Sequence, residues 1–350
     1  MTKALPCFLA TICLATLLAA APAQAERRVT DQAGREVILP DHVERVVTLQ
    51  HQALDVLIEL NAEDKLVGIL RDWNKYLPAT IADIAPVLSD LPMPGDLRTV
   101  NAESLAALHP DVVIVTHYMT SDVVEQIERL GIPVVKVSFF TGPKTEQAKL
   151  NPTLDDETAA YTDGLVEAVK LIGAVVGKDK EAGELVDYAL NARALVNQRT
   201  AHMADDKRTT MYMANPELAT YGSGKYTGVA MRQAGGLNVA RGIDGYGKVS
   251  MEQVLQWNPQ VIVVQARYAP VAEQIRQDPQ WQAIDAVKNG RIYVAPEYVK
   301  PWGHPLPESV ALGELWMAKK LHPALFEDVD MDAKAQDFYR RFYRKGYEGM

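Results

Sequence analysis

The sequence predicts an α/β protein of two similar lobes, each built on a mainly parallel sheet, joined by one long helix, with a ligand cleft between the lobes. Three observations carry this. Residues 103–115 (ESLAALHPDVVIV) return 149 positions on as residues 252–264 (EQVLQWNPQVIVV). Each copy reads as a turn or two of helix, a proline that stops it, and a β-branched run suited to a buried parallel strand. Strand-like and helix-like segments also alternate in the same order in both halves, as parallel sheets with covered faces require. Finally, a helical stretch from Leu154 to about His202 lies between the halves.

The elements follow in order. Residues 1–25 carry Lys3, an apolar core from Ala4 to Ala21, and the small-x-small site Ala23-Gln24-Ala25, which together read as a secretory signal cleaved after Ala25. No later segment approaches ~20 apolar residues. The signal holds both cysteines, Cys7 and Cys13, so no disulfide or thiol chemistry is expected in the mature chain. Ile12 precedes Cys13, where lipidation wants a small residue, so release into the periplasm is expected.

Residues 29–40 read as a hairpin-like start with its turn at Asp31 to Gly34. A strand at 45–49, a helix at 52–60 and a short strand at 66–69 follow. After the Pro/Gly-rich loop 86–95 come the first repeat copy, a helix at 121–130 and a strand at 133–137, completing a lobe expected to span 26–177. The second lobe, expected at 205–350, repeats the order: a strand at 209–213, a helix at 227–234, a strand at 237–240, the second copy, helical segments at 271–287 and a strand at 291–294. The tail, 332–347, reads as a basic and aromatic surface helix. Between the lobes, residues 178–204 place apolar side chains at helical spacing. A helix of ~25 residues spans about 37 Å, enough to cross both lobes and to limit their hinge motion.

The formal net charge of −9 becomes one unit more negative when Lys3 leaves with the signal, which argues against nucleic acid and anionic membranes as partners. The segment Tyr221-Gly222-Ser223-Gly224-Lys225-Tyr226 fails as a phosphate loop, because Tyr226 replaces the Ser/Thr that holds magnesium and Ala219 replaces the first glycine. No Gly-x-Ser-x-Gly elbow or His-Glu-x-x-His helix occurs, so no enzyme activity is expected.

Open parallel sheets bind ligands beyond the carboxyl ends of their strands. Those ends carry Gln50-His51, Thr116-His117-Tyr118, Phe139-Phe140, Asn215 and Gln265-Ala266-Arg267-Tyr268, with Trp73 and Trp302-Gly303-His304 in nearby loops. Glu103 and Glu252 start equivalent helices, where the helix dipole favours a carboxylate. They also read as a pair of exposed acids, one per lobe, able to dock on a symmetric partner with basic pockets. The repeat thus divides into a ligand side at its strand ends and a docking side at its helix starts.

With these pieces in place, the chain resembles the periplasmic substrate-binding proteins of ABC importers, in the group that binds ferric siderophores, haem and cobalamin and joins its lobes by one long helix. The resemblance rests on Val29-Thr30-Asp31-x-x-Gly34-Arg35, on Arg45-Val46-Val47-Thr48-Leu49, on the paired Glu-to-Val segments, and on Gly290-Arg291-Ile292-Tyr293-Val294 leading to Pro307-Glu308-Ser309. It implies a monomer that passes its ligand to an inner-membrane permease and its ATPase. It also implies that Glu103 and Glu252 pair with permease arginines. The ligand-binding residues it implies are Trp73, Tyr118, Arg267, Tyr268 and Trp302; the expected set also includes His51, His117 and Tyr221, with Arg71, Arg98 and Arg241 as helpers toward an anionic siderophore. No intrinsic cofactor is implied. The expected cargo is a ferric siderophore or other metal chelate. Haem, cobalamin and a molybdate-like oxyanion are alternatives in the same group. Direct metal ligation by His51, His117 and His304 stays open.

Overall fold

In the computed structural model, residues 26–347 are described. The signal segment and both cysteines lie outside them. The chain opens with β1 (Glu26–Thr30) and β2 (Glu36–Pro40), an antiparallel pair. Its turn is closed by the buried Asp31 carboxylate, which accepts the backbone N–H groups of Ala33 and Arg35 and pairs with the Arg35 guanidinium.

Two four-stranded parallel sheets follow. The first contains β3 (Val46–Thr48), β4 (Leu66–Ile69), β5 (Val112–Thr116) and β6 (Val134–Val137), in the order β4-β3-β5-β6. The second contains β7 (Thr209–Ala214), β9 (Gly236–Asn238), β11 (Val261–Val264) and β12 (Ile292–Val294), in the order β12-β11-β7-β9. Numbered within each lobe, both sheets read 2-1-3-4. The duplication detected in thirteen residues therefore extends to whole-lobe topology, with β5 and β11, the repeat strands, third in each lobe. Their side chains are fully buried, as a β-branched run covered on both faces requires.

One added pair joins β8 (Ala219–Tyr221) to β10 (Tyr246–Lys248), antiparallel, at the carboxyl end of β7. Gly222 lies under this pair because an added Cβ would fall 1.9 Å from the Ile243 carbonyl oxygen.

The central helical stretch is two helices, Glu157–Val176 and Asp179–Thr200. Asp156 caps the first, and Gly177, at φ 70°, ends it in the left-handed conformation that glycine adopts without strain. The Glu157–Val176 helix touches both lobes. Gly164 presses on the Phe140 backbone and accepts from Gln32 on the first-lobe side, while the Tyr161 hydroxyl donates to the Gly224 carbonyl on the second. The Asp179–Thr200 helix packs on it and on the segment 309–321.

The tail departs from the surface helix expected of it. Helix Met331–Phe338 runs on into a wider turn at Tyr339–Tyr343, and Phe338, Tyr339, Phe342 and Tyr343 are all buried in the core. Its arginines point outward while the aromatic stripe packs inward. Tyr343 meets a buried ionic cluster in which Lys300 pairs with both Asp55 and Glu308. This cluster ties the first helix, His51–Glu59, directly to the second lobe.

Candidate functional site

In each 2-1-3-4 sheet the chain reverses direction between the first and third strands, and that switch point is where open α/β sheets bind ligands. Here the four strands at the two switch points are β3, β5, β7 and β11. They end at Gln50-His51, His117-Tyr118, Asn215 and Gln265-Arg267. Each lobe therefore offers its switch point to the other, and the loop 300–304 lies between them.

Two groups of side chains meet there. In the first, His51 stacks on Tyr76, with ring centroids 4.9 Å apart, and its edge meets Trp302 at 5.8 Å. The Arg267 guanidinium sits over both Trp302 (5.7 Å) and Tyr268 (5.0 Å). A relay orients it: Arg267 Nε donates to Gln265 Oε1 at 3.0 Å, and Gln265 Nε2 donates to Asn215 Oδ1. Beside this group is a cavity of about 290 Å³, lined by Tyr76, Pro78, Arg267, Pro296 and Trp302 among others.

In the second group, His117 makes edge contacts with Tyr118 (4.9 Å), Phe140 (5.1 Å) and His304 (5.6 Å). His304 also stacks on Phe140 and meets Tyr161, both at 6.0 Å. The His117 Nε2 lies 3.1 Å from the Lys149 carbonyl oxygen. His51 Nδ1, His117 Nδ1 and both ring nitrogens of His304 are shut off from water with no hydrogen-bond partner. Buried polar atoms are rarely left so. Their convergence is the clearest sign of a ligand site in the fold.

The electrostatics fit neutral donors. Burial pulls His51 down to about 3, helped by the Arg267 charge, and pulls His117 down to about 4. Burial takes His304 well below its ordinary value, with further depression from His117, Lys225 and His51. At neutral pH each ring is uncharged and carries one N–H, which on His117 is the Nε2 proton donated to the Lys149 carbonyl.

The structure distributes the expected residues unevenly. His51, His117, Tyr118, Arg267, Tyr268 and Trp302 converge. Tyr221 is buried, its ring tilted against that of Tyr246 at 4.8 Å. Trp73 packs in the hydrophobic core, and its one-turn helix, Trp73–Tyr76, delivers Tyr76 to His51 instead. Arg98 sits 5.7 Å over the Tyr118 ring, whose hydroxyl is pushed up to about 12, chiefly by burial. Arg71 and Arg241 are exposed. Tyr76, Tyr161 and Lys225 were not singled out as site residues by sequence. Among the described residues, no three His, Cys, Asp or Glu side chains are arranged to hold a metal ion.

Glu103 and Glu252 are exposed and occupy matching places in the first turns of helices Ala102–Ala106 and Met251–Trp257, capped by Asn101 and Ser250. They do not lie opposite the ligand side. Each helix runs antiparallel to the strand it feeds. Asn101 bonds to the Pro94 carbonyl and Thr116 Oγ1 to Leu97, at the carboxyl end of β5, while Leu108 and His109 meet Arg45 at the other end of the sheet. In the second lobe Val249, just before the Met251–Trp257 helix, donates to the Leu218 carbonyl beyond the carboxyl end of β7, and Gln260, after the helix, donates to Thr210 at the start of β7, so both acids flank the same end of the molecule as the cleft.

The fold and this inter-lobe site define a two-lobed α/β binding protein. Residues 46–299 match the family described as periplasmic binding protein, and the chain belongs to that family. It is 49% identical to the molybdate-binding protein MolA of Haemophilus influenzae over 327 residues, 93% of each chain. The solved structure of MolA bound to molybdate, the cognate binding protein of an ABC transporter, superposes with a TM-score of 0.89, covering 93% of this chain and 100% of that one. A periplasmic solute binding protein from Veillonella parvula shares the fold at 23% identity and a TM-score of 0.76, over 92% and 94% of the two chains. The Fe(3+)-citrate-binding protein YfmC of Bacillus subtilis is 22% identical over 77% of this chain and 78% of its own.

Proposed function

We propose that this protein captures a molybdate-like oxyanion in the periplasm and delivers it to an ABC permease and its ATPase. The observation that carries the reading is the 49% identity to a molybdate-binding protein across 93% of both chains. The chemistry of the site agrees. The free N–H of the neutral His304 ring and an oriented guanidinium offer donors to an oxyanion without demanding a metal. The cavity of about 290 Å³ beside these groups, with Arg267 in its wall, lies at the small end of ligand pockets. The ferric-siderophore expectation is thereby less well supported than the oxyanion alternative. Export by the segment 1–25 and cleavage after Ala25 belong to the same reading, as does docking of Glu103 and Glu252 on the permease with the cleft facing it.

Titration calorimetry of the purified mature protein with molybdate, tungstate, sulfate and a ferric hydroxamate tests it. Saturable binding of molybdate or tungstate is expected. Binding of the ferric chelate with no response to either metal oxyanion overturns it.

A further inference from the structure

We propose that Lys225 is a specificity residue of the site, supplying the positive charge that selects a doubly charged oxyanion over a singly charged one. The inference rests on the oxyanion reading and adds to it a residue and a charge rule.

Among the described residues four cationic side chains are buried: Arg193, Arg208, Lys225 and Lys300. Three are answered by carboxylates. Arg193 pairs with Glu314, Arg208 with Asp205, and Lys300 with Asp55 and Glu308. Lys225 is 4% exposed, and its Nζ has the Leu150 carbonyl oxygen as its polar partner, at 2.7 Å. Asp244 acts on it only from beyond ion-pair range. A buried ammonium without a carboxylate costs stability, and a fold keeps one where an anion answers it.

The position of Lys225 says which anion. Its chain runs beneath Gly303, where an added Cβ would stand 3.3 Å from Lys225 Cδ and 3.8 Å from Nζ. The next residue along binds the same loop, with the Tyr226 N–H donating to the Gly303 carbonyl at 3.0 Å. Lys225 Nζ and His117 Nε2 take the consecutive carbonyls of Leu150 and Lys149, so the ammonium and the His117 ring are neighbours. Its charge depresses both His117 and His304. Burial brings Lys225 itself down to about 8, which leaves it mostly charged at neutral pH. The spot thus gathers one full positive charge and the neutral His304 ring, whose single N–H has no partner. That is a set of donors suited to an anion whose charge is divided between this corner and Arg267.

The rival account gives Lys225 a purely structural role, pinning the segment 149–152 to the second lobe. Two neutral variants and a pair of anions separate the accounts. Lys225→Gln keeps an N–H for the Leu150 carbonyl, and Lys225→Met removes a charge without adding a polar group. Molybdate and perrhenate share shape and differ by one unit of charge. Calorimetry is expected to show molybdate binding weakened at least tenfold in whichever neutral variant folds. The molybdate-to-perrhenate affinity ratio should fall by a similar factor, and Lys225→Arg should recover part of both. Melting without anion should be no lower than wild type for Lys225→Gln. A neutral variant with an unchanged affinity ratio overturns the inference alone. A wild type that ignores molybdate and tungstate overturns the oxyanion reading, and the inference with it.

Discussion

His117 and His304 face each other across the boundary between the lobes, 5.6 Å apart, and three of their four ring nitrogens have no partner. One comes from the end of β5 and the other from the loop after β12. Their meeting is a property of the assembled lobes, and it makes the cleft responsive to acid.

Both rings are held below the ordinary histidine value, so the unfolded chain binds protons that the folded chain refuses. Stability is then fully present above about pH 6.5 and is lost as pH falls towards the folded value, which for His117 is about 4. The loss attributable to His117 is on the order of 3 kcal/mol. Melting curves from pH 8 to pH 4 are expected to show the drop, and His304→Gln to flatten it. Bound molybdate should also flatten it, because an anion favours the charged rings. A melting temperature constant from pH 7 to pH 4 would contradict the buried neutral state.

Arg267 differs in kind, since it is exposed and its guanidinium lies over the Trp302 and Tyr268 rings. Arg267→Ala is expected to leave stability within about 0.5 kcal/mol, as surface changes do. It should weaken anion binding by tenfold or more. Arg267→Lys should restore little, because the stacking and the fork of donors go with the guanidinium. Thermal melting reads the stability and titration calorimetry with molybdate the affinity; equal affinity in Arg267→Ala would remove Arg267 from the site.

Glu103 and Glu252 predict a separation of functions. Both are exposed, at matching helix starts, on the cleft end of the molecule. Reversing both to arginine should abolish permease-dependent uptake while molybdate binding by the isolated protein stays within about twofold, since rim charges govern docking more than a remote pocket. Uptake at wild-type rate in the double reversal would assign them to helix starts alone.

What was legible in sequence follows from how locally each feature is encoded. β5 and β11 are short β-branched runs behind a proline, a signal complete within thirteen residues, and the strand-end rule then placed His51 and His117. The β8–β10 pair was not legible: its strands are three residues long and meet across an intervening helix, with no alternation to mark them. The tail misled because Arg340, Arg341 and Arg344 interleave with Phe338, Tyr339, Phe342 and Tyr343, and composition hides a helical stripe that packing reveals. Trp73 was placed at the site by residue type, yet three positions on it is Tyr76 that reaches His51. Lys225 could not be found before folding, because its importance lies in which carboxylates are absent around it. Glu103 and Glu252 were legible as a pair, but their side of the molecule depends on helices running antiparallel to strands.

The last prediction concerns how the lobes are held. Lys300 adopts φ 37°, a conformation that costs a non-glycine residue on the order of 1 kcal/mol, and its ammonium meets Asp55 and Glu308 with the Tyr343 hydroxyl at 3.0 Å. Glu59 is close by, its proton held well above the ordinary carboxylate range by burial and by Asp55. Glu308 is raised to about 7 by burial, against the pull of Lys300. Removing the one cation leaves buried carboxylates unanswered, so Lys300→Met should cost about 3–5 kcal/mol at pH 8. The cost should shrink at pH 5, because carboxylates with raised values bind protons in the folded state and are then neutral without help. Trp302, two residues on, should lose its place against His51, so the same variant should bind molybdate more weakly even at pH 5, where it is folded. Urea titrations at the two pH values read the first effect and calorimetry the second. Equal destabilisation at pH 5 and pH 8 would show that Lys300 serves by packing and not by charge.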